Sequence, residues 1–180
     1  MMPTPSPNGA TPSSRRGIIT RPTTDRVREN VFNVIASEVK QSRVLDLFAG
    51  TGAYGLEAHS RGASEVVFND IDVEIIKRNC KLVGCNGVVL NLDYKKALEK
   101  IKGQQFDLIF LDPPYDSDYI STALDIIRQK NLLSANGTVI IETDKNSPPW
   151  RGGCEADGVV YKVKKYGRAH IYFLSQKPHA

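Results

Sequence analysis

From Val44 onward the chain repeats one unit: a short apolar run, a loop, and a helix with one apolar face. Short apolar runs bounded by turn residues read as buried strands, and a spacing of three and four between apolar positions reads as a helix. Strands that alternate with helices are joined by right-handed crossovers, which leave them parallel and covered on both faces. The predicted strands cover 44–48, 65–69, 88–92, 106–111 and 138–143. The predicted helices run to about Arg61, from a cap at Asp72 to a stop at Gly84, through Ala97-Leu98 to Ile101, and onward from a cap at Asp118. Ile76, Cys80 and Val83 should face inward from the second of these, and Ile120, Leu124 and Ile127 from the fourth. Asn136-Gly137 is read as the turn into the fifth strand. Upstream, Thr24 or Asp25 caps a helix whose inward face carries Val27, Val31, Val34 and Ile35. Downstream the alternation changes. Residues 159–166 alternate apolar and basic, Gly167-Arg168 makes a two-residue turn, and 169–175 return as a strand. The expected fold is therefore a doubly wound, mostly parallel α/β sheet that ends in an antiparallel hairpin.

A chain of 180 residues fits one such domain. Residues 1–14 hold Pro, Ser, Thr and Gly but no charge, so they are read as a leader that cannot build a core; residues 15–180 form the domain, with 15–43 leading into it. No apolar run approaches the roughly 18 residues of a membrane span, and Cys80, Cys85 and Cys154 show no metal-ligand or disulfide spacing. A cytoplasmic protein without a metal site is expected. Charge is unevenly placed. Residues 1–43 carry seven basic against three acidic side chains, 44–150 eleven against fifteen, and 151–180 six against two. Basic flanks around an acidic centre suit a polyanionic partner, most simply nucleic acid.

In a doubly wound sheet, ligands sit at the carboxyl ends of the strands. Four predicted strands end on or near an acid: Asp46, Asp70, Asp93 and Asp112. Gly50-x-Gly52-x-x-Gly55 follows the first strand and matches a dinucleotide-binding loop, with Asp70 at the distance of a ribose-binding acid. Asp46 argues against a pyrophosphate there, since two anions would repel. S-adenosylmethionine carries an ammonium, a sulfonium, ribose hydroxyls and adenine, but no phosphate. It gives the acids separate tasks, with Asp46 near its methionine end, Asp70 on the ribose and Asp93 on the adenine amine. The fourth strand ends Asp112-Pro113-Pro114-Tyr115. Prolines donate no backbone hydrogen bond and hold φ nearly fixed, so this end is a stiff set of acceptors beside an aromatic ring. A flat ring bearing an NH2 group fits it, donating to Asp112 and the Pro113 carbonyl while stacking on Tyr115.

These motifs resemble the class I S-adenosylmethionine-dependent methyltransferases, and more closely the RsmD family, which methylates the N2 amine of a guanine in 16S ribosomal RNA. The resemblance rests on the segments 21–29, 46–52, 55–58, 60–63, 112–115 and 165–167. It implies a Rossmann-like class I fold in which Asp46, Phe48, Ala49, Gly50, Thr51, Gly52, Asp70, Ile71, Asp93 and Tyr94 hold S-adenosylmethionine. Asp112, Pro113, Pro114 and Tyr115 would be catalytic. Arg21, Thr23, Arg26, Lys164, Lys165 and Arg168 would meet 16S rRNA, in the small ribosomal subunit or its assembly intermediate, with the protein expected as a monomer. Three features depart from the family: the Pro/Ser stretch replaces a Gly/Arg-rich hairpin, His59 stands where leucine is usual, and Asp70 where glutamate is common. A DNA adenine N6-methyltransferase shares the Asp-Pro-Pro-Tyr logic but usually carries a target-recognition insertion for which this chain has no room. A nicotinamide-dinucleotide enzyme leaves Asp46 and the prolines without a role. A non-catalytic RNA-binding module leaves the acids without one.

Overall fold

Alternate residues of the central strands bury into two separate cores, and this division organises the molecule. The computed structural model describes residues 22–114, 118–146 and 160–175. In chain order the elements are α1 (Pro22–Val34), α2 (Ala36–Val39), β1 (Arg43–Asp46), α3 (Ala53–Ser60), β2 (Glu65–Asp70), α4 (Glu74–Val83) and β3 (Val88–Asn91). There follow α5 (Tyr94–Lys100), β4 (Phe106–Leu111), α6 (Tyr119–Gln129), β5 (Leu133–Thr143), β6 (Val160–Tyr166) and β7 (Ala169–Ser175). The strands form one sheet in the order β3-β2-β1-β4-β5-β7-β6. The first five pair in parallel, and β7 pairs antiparallel with both β5 and β6.

On one face, Val44, Val66, Phe68, Leu108, Phe110 and Ile140 pack with Val31 and Phe32 of α1, Ala58 of α3 and Ile76 of α4. On the other, Leu45, Val67, Ile109, Leu111, Val139 and Ile141 pack with Ala97 and Leu98 of α5 and Ile120 and Ala123 of α6. Full burial of an aliphatic or phenyl side chain contributes roughly 1.5–3 kcal/mol. A strand buried on both sides therefore gains at nearly every residue, which explains why β4 is a continuous apolar run. Helix α3 lies against β2 closely enough that a Cβ at Gly55 would stand 2.3 Å from the Phe68 ring, so only glycine fits there.

Several expectations need correction. Helix α1 starts at Pro22, so Thr24 and Asp25 lie within its first turn, past the N-cap position; proline suits the first helical position because its missing N–H had no partner to lose. The cap position before α4 is Val73, although the Asp72 carboxylate still accepts from the Glu74 N–H at 3.3 Å. Val83 is exposed, because the last turn of α4 borders an open cleft. Asn136-Gly137 lies inside β5. The pairing with β4 steps from Phe106–Leu133 to Leu108–Thr138, so these residues form an irregularity within the strand. The predicted inward residues Ile76, Cys80, Ile120 and Ile127 are buried. Gly84 adopts a left-handed φ of 68° as the stop of α4, and Gly167-Arg168 closes the β6–β7 hairpin. No helix among the described residues is long and apolar enough to cross a membrane.

Candidate active site

The parallel order brings the carboxyl ends of β3, β2, β1, β4 and β5 into one row. Asp93, Asp70, Asp46 and Asp112 follow one another along it, and Glu142 near the end of β5 continues it. Because β7 runs antiparallel to β5, its first residues lie beside the same edge, with His170 opposite Thr143. The hairpin turn carrying Arg168 therefore flanks the row.

The half formed by β3, β2 and β1 holds the glycine loop. Gly50 and Gly52 have φ of 54° and 80°, the left-handed region that glycine tolerates. The Gly50 N–H donates to Asp70 Oδ2 at 2.8 Å and the Asp72 N–H to Asp70 Oδ1 at 3.2 Å, which fixes the carboxylate over the loop. Each oxygen still has a lone pair for a hydroxyl. Asp93 caps α5, accepting from the Lys95 N–H at 3.0 Å through one oxygen. Ala49 is buried and donates to the Asn69 carbonyl, and the Thr51 carbonyl accepts from the buried Asn79. Ile71 is an apolar side chain 79% exposed directly after Asp70. Phe48 and buried Tyr94 form an aromatic cluster with Tyr119 of α6, their ring centroids 4.9–6.0 Å apart. An open backbone turn, carboxylates and an adjoining apolar and aromatic surface match the donor set of S-adenosylmethionine.

Asp46 is in a different state from the other acids of this half. It is 2% exposed, and its Oδ2 accepts from the Gly55 N–H at 2.9 Å, anchoring the start of α3. Burial raises its pKa to about 7, against the Gly55 hydrogen bond that lowers it and with a further push from the Asp70 charge.

The other half is formed by β4 and β5. Asp112 and Glu142 come one residue after the paired Leu111 and Ile141. Asp112 is exposed at the edge, followed by buried Pro113 and exposed Pro114. Desolvation by the surrounding atoms and the charges of Glu142 and Asp46 raise the Asp112 pKa well above the carboxylate range. The Tyr54 hydroxyl donates to Glu142 Oε2 at 2.5 Å, and the Tyr54 ring stacks on Phe110 at 4.8 Å with Phe32 beside both.

Of the predicted RNA contacts, Arg26, Lys164, Lys165 and Arg168 are exposed. Lys164 pairs with Ile171 and so lies on the α1 face, whereas Lys165 pairs with His170 and lies on the opposite face. Thr23 belongs to α1. Arg21 and Tyr115 lie outside the described residues, as do the 1–14 leader and Cys154. A separate open cleft of about 510 Å³ is bordered by Arg28, Thr51, Leu56, Glu57, Asn79 and Val83. Asp112 does not border it. Sequence reasoning missed Glu142, Tyr54 and Tyr119. Glu142 shows the same signal as the other acids, a carboxylate closing an apolar strand; Tyr54 sits between the second and third loop glycines, and only packing shows its partner.

The family model described as Conserved hypothetical protein 95 matches residues 12–175. Ribosomal RNA small subunit methyltransferase D of Haemophilus influenzae is 35% identical over 71% of this chain and 70% of its own length. Among solved structures, a conserved hypothetical protein of Streptococcus pyogenes is 32% identical with a TM-score of 0.73, covering 82% of this chain and 94% of that one. A 16S rRNA N2 guanine methyltransferase (RsmC) of Thermus thermophilus, solved with AdoMet and guanosine, shares the fold at 21% identity and a TM-score of 0.69, covering 92% of this chain and 45% of that one.

Proposed function

Because this chain belongs to the RsmD family, also described as Conserved hypothetical protein 95, we propose that it transfers a methyl group from S-adenosylmethionine to the exocyclic N2 of one guanine in 16S rRNA of the small ribosomal subunit. The observation that carries the reading is the row of strand-end acids, with a glycine loop at one half and Asp112-Pro113 at the other.

S-adenosylmethionine supplies an electrophilic methyl group when bound. Gly50 and Gly52 let the backbone approach it, Asp70 takes the ribose hydroxyls, and Phe48, Ile71, Asp93 and Tyr94 enclose the adenine. Asp112 and the Pro113 carbonyl accept hydrogen bonds from the guanine NH2. An aryl amine is a weak nucleophile because its lone pair is delocalised into the ring. Holding both of its hydrogens tilts the nitrogen toward tetrahedral geometry and aims the lone pair. The hydrogen bonds strengthen as positive charge grows on nitrogen, so they stabilise the transition state more than the ground state. Tyr115 stacks on the base, worth about 1–3 kcal/mol, and the base must leave its helix or be unpaired already. The exposed Arg26, Lys164, Lys165 and Arg168, together with Arg21 and Thr23, meet the RNA backbone. The enzyme works as a monomer in the cytoplasm.

The test offers radiolabelled S-adenosylmethionine with small ribosomal subunits, free 16S RNA and duplex DNA. Label is expected on a guanine N2 of the RNA or the particle, and Asp112→Ala should abolish transfer while still binding cofactor. Label on DNA adenine alone would overturn the reading in favour of the N6-methyltransferase.

A further inference from the structure

Three carboxylates share one face of the sheet at the carboxyl ends of adjacent strands. Asp46 follows Val44 by two residues on β1, Asp112 follows Phe110 on β4, and Glu142 follows Ile140 on β5; Val44, Phe110 and Ile140 all belong to the α1-side core. Tyr54 reaches over this face from α3. Its ring is clamped on Phe110, and its hydroxyl is spent on Glu142 at 2.5 Å. Tyr54 is 8% exposed, so the hydrogen bond is shielded and Glu142 is held at one position beside Asp112. A carboxylate fixed next to the residue that grips the amine disfavours the ionised form of that residue, since like charges at close range destabilise one another. The methyl-transfer chemistry leaves a task unassigned: disposal of a proton.

We propose that Glu142, held in place by Tyr54, is the positioning residue that makes Asp112 the acceptor of the proton released by the methylated amine. The proposal rests on the methyltransferase reading above. As the nitrogen–methyl bond forms, the sulfur–methyl bond breaks and sulfur keeps its electron pair. Nitrogen then carries one proton too many. An N–H bond breaks with its electrons returning to nitrogen, and the proton passes to an Asp112 carboxylate oxygen and later to water. The sulfonium charge that favoured ionised carboxylates is gone at that moment. Glu142 then raises the proton affinity of Asp112, when a base is required. Among the described residues, the charges that act on Asp112 are those of Glu142 from β5 and Asp46 from β1, and the Asp112 charge in turn acts on Tyr54 from α3.

The experiment compares wild type with Glu142→Gln, Glu142→Asp and Tyr54→Phe. Carboxyl-carbon NMR on ligand-free protein follows the Asp112 titration directly, without need of turnover. Glu142→Gln should lower the proton affinity of Asp112 roughly tenfold, by removal of a neighbouring like charge. Tyr54→Phe should lower it less, and Glu142→Asp should retain most of it. In single-turnover transfer to RNA, Glu142→Gln should shift the acid limb of the pH–rate profile to lower pH and reduce the plateau several-fold, up to about tenfold, with cofactor affinity unchanged. An Asp112 titration that ignores Glu142→Gln overturns the proposal, and so does a shifted titration with an unchanged plateau. If Glu142→Gln does not fold, Tyr54→Phe gives the same two readouts. Absence of transfer by wild type to any RNA would instead defeat the functional reading, while the NMR titration still reports on the pair.

Discussion

At the scale of single residues, the acids of the row differ because their surroundings differ. Asp70 and Asp93 are tied to backbone N–H groups at the surface and keep free lone pairs. Asp46 is sealed beneath them and bonded to Gly55, so it serves the framework as well as the electrostatics of the site. Its burial also makes stability depend on pH. A carboxyl raised to about 7 in the folded protein, against about 4 when unfolded, binds more protons folded than unfolded throughout that window. Stability is therefore fully present below the lower value and is lost as pH rises through the upper one. Asp46→Asn keeps an oxygen for the Gly55 N–H and removes the titration. Thermal melts of ligand-free protein should show the variant gaining on wild type between pH 5 and 8, by roughly 2–3 kcal/mol across that range. A difference that stays constant with pH would contradict the burial argument. The sequence showed that Asp46 was present near a strand end but not that it faced inward.

At the scale of elements, the β6–β7 hairpin is the part whose placement matters most. Its strands were legible from alternation and a Gly-led turn. Their position was not, because register with β5 depends on which partner offers an edge. The antiparallel pairing of Thr143 with His170 puts the turn at the carboxyl edge, next to the acids. Lys164 and Lys165 project to opposite faces there, with Arg168 in the turn between. Replacing all three by alanine should weaken RNA binding and make its dependence on salt shallower, by about 2 in the log–log slope if each meets one phosphate. Filter binding across a salt series measures this, and cofactor affinity should not move. An unchanged slope would remove the hairpin from the RNA interface. Asn136-Gly137 differs for a similar reason: an Asn-Gly pair that reads as a hairpin turn is absorbed within β5, where β4 supplies the pairing partner and the Phe106 carbonyl lies close to Gly137.

At the scale of the whole molecule, the sheet separates the half proposed to hold the methyl donor from the half proposed to hold the amine, and β1 and β4 meet at the boundary. A ligand that binds only the folded state stabilises it by about 2.7 kcal/mol at a hundredfold excess over its Kd. For a chain of this size, S-adenosylhomocysteine should then raise Tm by about 5–10 °C. Thermal-shift measurement with NAD beside it separates the two cofactor readings: a rise with NAD and none with S-adenosylhomocysteine would refute the assignment of the glycine loop. The order of strands and helices, the loop glycines and the acids at strand ends followed from the sequence, because periodicity and turn chemistry act between neighbours along the chain. The start of α1 at Pro22, the exposure of Val83, the burial of Asp46 and the bond between Tyr54 and Glu142 did not. Residues 54 and 142 come from separate elements, and what joins them is the parallel register of β1, β4 and β5 with α3 laid across its end. The amino acids alone determined which groups were present; which of them could exchange a charge or a proton was decided by tertiary packing, which sets their burial and their distance.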